Sequence, residues 1–195
     1  MTSLDELIRL IRKLPGMGDK SATRLAYHLI KTDKTYNLKL GEAIVSIQDK
    51  IKPCPVCGCY MEGDSCSYCD NDRLDGTLLC VVENAQDVVS LSSVGVYNGL
   101  YHVLGGAISP IDGIGPNSLR FKELRERVEN GNFKEIIIAT NPTEEGDTTA
   151  LYIRQLLSSF PVTFSRLASG IPIGGDLGYV DKSTLMRSMK GRIKL

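Results

Sequence analysis

The sequence predicts a multi-part α/β protein: a helical N-terminal hairpin, a small cysteine-bound metal site, a mostly parallel α/β domain and a short helical tail. Three observations carry this. Apolar residues recur with helical period from Leu4 onward, four cysteines stand in two close pairs between positions 54 and 69, and short apolar runs alternate with amphipathic stretches from Leu78 to Leu167. The corresponding segments are 1–53, 54–76, 77–167 and 168–195.

With 195 residues the chain is long enough to bury at least one core. It contains no run of eighteen apolar residues and its N-terminus is polar, so neither a membrane span nor export is expected and a cytoplasmic protein is. The net charge is zero, but it is unevenly placed. Residues 1–53 hold ten Lys or Arg against six Asp or Glu, and the remainder holds thirteen against seventeen. A polyanion would be met at the N-terminal end.

In that end, Leu4, Leu7, Ile8 and Ile11 keep the i, i+3, i+4, i+7 rule, and Ala22, Leu25, Ala26 and Leu29 repeat it. Between them lies Leu14-Pro15-Gly16-Met17-Gly18, where proline stops a helix and two glycines permit backbone angles closed to other residues. Gly16 and Gly18 would bare amide groups at the start of the second helix, which suits a phosphate oxygen. Lys20, Arg24 and Lys31 fall opposite the apolar stripe. Two readings stand: a phosphate grip, blind to base sequence, or a solvated basic face. His28 is read as packing or facing water. Thr32–Asn37 reads as a loop, and Leu40, Ile44, Ile47 and Ile51 predict a third helix ending at Pro53.

Next come Cys54-Pro-Val-Cys57 and Cys66-Ser-Tyr-Cys69, eight residues apart. This is tetrahedral zinc spacing, and in a reducing compartment it outweighs disulfides. Cys54, Cys57, Cys66 and Cys69 fill the shell, with Gly58 letting the backbone curl under a sulfur. Four thiolates leave no open position for water, so the single Zn²⁺ is expected to be structural and to lock the basic hairpin to the acidic body. Cys59 is a spare that could stand in for Cys57 only by spoiling the turn. Cys80, in an apolar run, reads as a small buried hydrophobe.

The α/β part predicts a buried strand at Leu78–Val82, a helix through Ala85, Val88, Val89 and Ser92, and a strand at Tyr101–Leu104. After the long aperiodic loop Gly105–Pro116 come a helix at Asn117–Glu129, a strand at Glu135–Thr140, a helix at about Gly146–Ser158 and a strand at Val162–Leu167. Such a sheet gathers ligands at the carboxyl ends of its strands, where Glu83 and Asn141–Asp147 lie. Glu145 and Asp147 have two readings, a weak Mg²⁺ site or acids favouring the N-terminus of a helix, and the second is preferred. In the tail, Asp176 and Asp181 stand where a nucleotide-binding loop needs glycines, so Lys182-Ser183-Thr184 is no phosphate loop. Asp181 instead caps a last helix bearing Leu185, Met186 and Met189, whose apolar face suits packing in an oligomer.

These residues carry family resemblances. Pro15-Gly16-Met17-Gly18 resembles the helix-hairpin-helix of DNA repair proteins, and the α/β part resembles a Toprim domain. In that family a glutamate after the first strand and an Asp-x-Asp pair hold magnesium for phosphoryl transfer. Glu83 matches the first, but Asn141-Pro142-Thr143 occupies the place of the second and offers no carboxylate. Together with the cysteine quartet, Leu104-Gly105-Gly106, Ser109–Pro116, Ala139–Thr143 and Asp176-Leu177 with Tyr179, the whole chain resembles the bacterial recombination mediator family RecR. Gly178 departs from it, since relatives often carry glutamate there.

The resemblance implies a non-enzymatic, DNA-binding role in recombinational repair. RecR-like proteins form dimers or tetrameric rings on gapped, single- and double-stranded DNA. With RecO and RecF they help RecA displace single-strand binding protein. It further implies that Lys20 and Arg24 contact DNA, and that the acidic rim of Glu83, Glu145 and Asp147 faces protein partners. The rival classes are a metal-dependent Toprim nuclease or primase-like enzyme, which the absent Asp-x-Asp opposes, and a zinc-ribbon adaptor that binds proteins alone.

Overall fold

The computed structural model describes residues 2–192, so Met1 and 193–195 of the first and last predicted segments lie outside the description. The chain divides into two compact units, Met1–Ile51 and Lys52–Leu195.

The first unit is helical. Helix α1 (Ser3–Ile11) starts at a capping box, in which the Asp5 amide donates to the Thr2 hydroxyl at 3.2 Å and the Thr2 amide to the Asp5 carboxylate at 2.8 Å. Helix α2 (Asp19–Lys31) packs on it, with Ile11, Ala22 and Ala26 buried among Leu4, Leu7, Ile8, Met17, Leu25 and Leu29. Both predicted stripes are therefore the core of the unit.

Helix α3 (Lys34–Lys50) differs from expectation at both ends. The Asp33 side chain accepts from the amides of Thr35 and Tyr36, so the helix starts at the third residue of the stretch expected to be a loop. Ile51 lies beyond the helix, in strand β1 (Ile51–Pro53). None of the α3 residues is buried, so Leu40, Ile44 and Ile47 form a stripe open to solvent.

In the second unit, β1 pairs with β2 (Tyr60–Glu62) in a two-stranded ribbon around the first cysteine pair. Four further strands build a fully parallel sheet, ordered β4 (Gly99–Val103), β3 (Asp75–Val82), β5 (Glu135–Ala139), β6 (Thr163–Arg166). Helices α4 (Ala85–Ser93), α5 (Phe121–Asn130) and α6 (Glu144–Leu156) connect successive strands, and α7 (Lys182–Lys190) follows the last. Alternation along β3 sends Leu79 and Val81 to one core, with Leu124, Val128, Ile136, Ile138 and Ile153. Cys80 and Val82 go to the other, with Val88, Tyr101, Val103 and the cysteines.

Helix α5 starts at Phe121, four residues later than its polar pattern predicts. Pro116–Ser118 close a single tight turn, and the Arg120 amide leaves the helical path to donate to the Leu104 carbonyl at 3.0 Å. The long loop before it is aperiodic yet ordered. Ser109 and Ile114 exchange backbone hydrogen bonds of 2.9 and 2.8 Å, and the Ile108 amide donates to the buried Thr149 hydroxyl at 2.9 Å.

The register places the functional segments. Val82 of β3 pairs with Val103 of β4 and with Ala139 of β5, so three strands end level and Glu83 and Asn141 emerge side by side.

Candidate functional site

The sulfur atoms of Cys54, Cys57, Cys66 and Cys69 all lie within 4.8 Å of one another, with Cys57 and Cys66 3.6 Å apart. Zinc–sulfur bonds of about 2.3 Å at tetrahedral angles put sulfurs about 3.8 Å apart, so the cage already has the dimensions the metal needs. The turn geometry explains why. The Gly58 amide donates to the Cys54 carbonyl at 2.9 Å and the Cys54 amide to the Cys59 carbonyl at 2.7 Å, curling the first pair. The second pair closes in the same manner, with the Cys69 and Asp70 amides on the Cys66 carbonyl.

Gly58 sits at φ 78°, in the left-handed region glycine favours. A Cβ there would meet the Val103 carbonyl oxygen at 2.9 Å, because the Val103 amide donates to the Cys57 carbonyl at 2.7 Å. The knuckle is thus fastened to β4 by its backbone. Arg120 reinforces this by donating to the Pro55 carbonyl at 2.6 Å, and Arg127 spans the Tyr101 carbonyl and the Cys69 sulfur, at 2.5 and 3.9 Å. A cation near sulfur suits a thiolate-rich cage.

Cys59 is buried but stands outside the quartet. A hydrogen bond to Cys57, then burial, pushes its thiol up, while that bond and one from Cys69 draw Cys57 down. Cys80 is buried as expected, with burial pushing its thiol up to about 12.

The carboxylate site is built differently. Glu83 is 6% exposed, and both of its oxygens are taken by one residue: the Asn141 amide donates to Oε1 at 2.8 Å and Asn141 Nδ2 to Oε2 at 2.6 Å. Gly146 makes the close approach possible, since a Cβ there would fall 2.0 Å from the Asn141 carbonyl oxygen and 3.1 Å from Glu83. Asn141 thus satisfies both oxygens of this buried carboxylate with neutral amide donors.

Glu144, Glu145 and Asp147 occupy the first turn of α6, as expected of acids at a helix N-terminus. Glu145 is exposed. Asp147 is not merely a dipole partner, because Arg166 of β6 and Arg187 of α7 each reach it at 2.7 Å. Burial opposes its ionisation, but the two guanidinium groups prevail and hold its carboxyl below the usual range. Beside this clamp a cleft of about 520 Å³ opens, lined by Asn141, Pro142, Arg166, Thr184 and Arg187. The clamp joins residues 40 apart in sequence, and no linear motif announces it.

In the hairpin, Gly16 has φ 76° and so requires glycine, whereas Gly18 is extended at φ −81° and does not. The value of Gly18 is that it brings no side chain to cap α2, leaving the first amides of the helix uncapped. The acid of that turn, Asp19, is drawn to Arg12 at 2.6 Å. Lys20, Arg24 and Lys31 are exposed, and among the described residues the ion pairs of this unit involve only Arg9 and Arg12 as cations. His28 faces water.

A helical hairpin and a parallel α/β domain that carries a built four-sulfur cage and a buried glutamate at its strand ends define a helix-hairpin-helix and Toprim protein. Family models agree segment by segment: "RecR, helix-hairpin-helix" over residues 4–47, "Toprim domain" over 77–168 and "RecR, C-terminal" over 170–193. Whole-chain similarity is narrower still. The chain is 50% identical to the recombination protein RecR of Treponema denticola over 100% of both chains. It is 47% identical to that of Treponema pallidum, covering 97% of this chain and 94% of the other. It is 47% identical to that of Leifsonia xyli, covering 97% and 96%. The chain belongs to the RecR family of recombination proteins.

Proposed function

We propose that this protein is a DNA-binding mediator of recombinational repair, acting in the cytoplasm with RecO and RecF to help load RecA at single-strand gaps or breaks. The observation that carries the reading is the hairpin, an uncapped helix start with Lys20, Arg24 and Lys31 exposed, in a chain similar throughout to recombination proteins. Among the described residues no helix is long and apolar enough to cross a membrane.

One structural Zn²⁺ held by Cys54, Cys57, Cys66 and Cys69 supports the reading, since the cage suits a tetrahedral thiophilic ion and leaves it no free coordination position. The protein is no enzyme in this reading: Glu83 is occupied by Asn141, which leaves magnesium no paired carboxylates to bridge. Of the acidic residues offered to protein partners, Glu83 and Asp147 shape the rim and exposed Glu145 meets the partner.

The protein works as a homo-oligomer, a dimer or tetrameric ring. Tail residues such as Ile173 and Tyr179 are fully or nearly fully exposed, and assembly would cover them. Several hairpins on one DNA would then raise a weak grip through effective concentration, which reconciles zero net charge with DNA binding.

The experiment is an electrophoretic shift on gapped DNA, with and without RecO, comparing wild type with the Lys20→Ala, Arg24→Ala double variant. The variant is expected to bind more weakly, with its salt slope reduced by about 2. Unchanged affinity at low salt would remove the hairpin from the mechanism, and magnesium-dependent nicking abolished by Glu83→Gln would replace the mediator with an enzyme.

A further inference from the structure

Helix α2 exposes an aromatic ring in the middle of its cationic face. At about 100° per residue, positions 20, 24, 27 and 31 fall within about 60° of arc. Lys20, Arg24, Tyr27 and Lys31 therefore form one stripe along about three turns, and Ala22, Leu25, Ala26 and Leu29 bury the opposite side. Tyr27 is 51% exposed, and among the described residues its ring has no aromatic partner and its hydroxyl no hydrogen bond. In contrast, Tyr97 donates to the Leu100 carbonyl, Tyr68 and Tyr101 meet edge to face, and Tyr152 packs on Phe121. Tyr36, Tyr60 and Tyr179 are also exposed, but none has cations at the preceding seventh and third and the following fourth positions.

A cation stripe alone suits any phosphate backbone, single- or double-stranded. A flat ring between the cations suits something more particular, an unstacked base, because a duplex keeps its base faces covered while a single strand offers them. We propose that Tyr27 is a stacking platform for an unpaired base of single-stranded DNA, with Lys20, Arg24 and Lys31 holding the flanking phosphates. This rests on the DNA-binding reading above and deepens it: the hairpin helix itself distinguishes single strand from duplex. Base composition does not enter, since every base has a face to stack.

The test uses the full chain and fluorescence anisotropy with an oligothymidylate and a blunt duplex of equal length. Tyr27→Ala is expected to lose roughly 5- to 150-fold in affinity for the single strand, to stay within about twofold on the duplex, and to be restored by Tyr27→Phe. Irradiating wild type on a 5-iodouracil-substituted strand is expected to cross-link Tyr27. Equal loss on both DNAs, no loss on either, or a cross-link mapping elsewhere overturns the proposal. So does a fall in assembly mass in Tyr27→Ala, which would place the ring against a second copy of the chain. If Tyr27→Ala does not fold, the wild-type cross-link decides. The underlying reading fails separately, when Lys20→Ala with Arg24→Ala leaves both affinities intact.

Discussion

The cysteine quartet and the carboxylates at the end of the sheet stand in the same unit, and both have the residue types that bind metals. They differ in what their lone pairs face. In the quartet four sulfurs converge within 4.8 Å, and the Arg127 guanidinium reaches one of them, Cys69, at 3.9 Å. At the sheet end a single buried carboxylate is matched oxygen for oxygen by Asn141, and Asp147 by two arginines. Donor atoms make a metal site only where the protein leaves them without internal partners. The quartet sulfurs face one another, whereas the sheet-end carboxylates face partners within the chain.

Removing a sulfur should produce the largest effect. Structural zinc contributes about 10–16 kcal/mol in small peptides, and the ribbon and its turns have little apolar core of their own. Cys57→Ser is expected to abolish stoichiometric zinc, measured by mass spectrometry of the intact protein, and to lower stability by several kcal/mol. Because the knuckle is bonded to β4 through Val103, part of the sheet should loosen with it. Full zinc content in the variant would mean that Cys59 can take the vacant corner.

Restoring the missing carboxylate tests the other side. Asn141→Asp keeps the backbone bond to Glu83 but replaces a donor at 2.6 Å with a second acceptor. Two carboxylates so close cannot both stay ionised without a cation. We expect a loss of about 1–3 kcal/mol at neutral pH in urea denaturation, largely recovered by millimolar Mg²⁺, which should leave wild type unchanged. A loss that Mg²⁺ does not recover would show that the site lacks room for the ion, and not only its ligands.

Much of this was legible in the sequence where one face of an element is buried. Leu4–Ile11, Ala22–Leu29 and the apolar runs from Leu78 and Glu135 became α1, α2, β3 and β5, because burial imposes the period it predicts. The cysteine spacing gave the cage for the same reason, since four ligands of one small ion must recur at short intervals. Illegible were the features decided by a single side chain or by distant partners. Asp33 starts α3 in a stretch whose composition reads as loop, Arg120 delays α5 by reaching back to Leu104, and Glu83 meets Asn141 only because three strands end level. Tyr27 drew no reading from the sequence, because only its exposure separates it from the core aromatics.

The smallest effect concerns the clamp on Asp147. Its folded carboxyl is held below the ordinary value of 3.8, so the stabilisation it brings is present above that value and is lost as pH falls through the folded one. The Asp147, Arg166 and Arg187 side chains are 37%, 36% and 35% exposed, so screening keeps the contribution below about 1 kcal/mol. Asp147→Asn should therefore lower stability slightly at pH 7, and the difference from wild type should shrink as pH falls below the ordinary carboxylate value and in 1 M salt. A more direct readout is the tail. Arg187 belongs to α7, so loss of the clamp should speed proteolytic nicking between Arg166 and Lys182 while leaving zinc content and the Glu83–Asn141 pair untouched. If nicking is unchanged, α7 is held by other contacts and the clamp only orients the arginines beside the cleft.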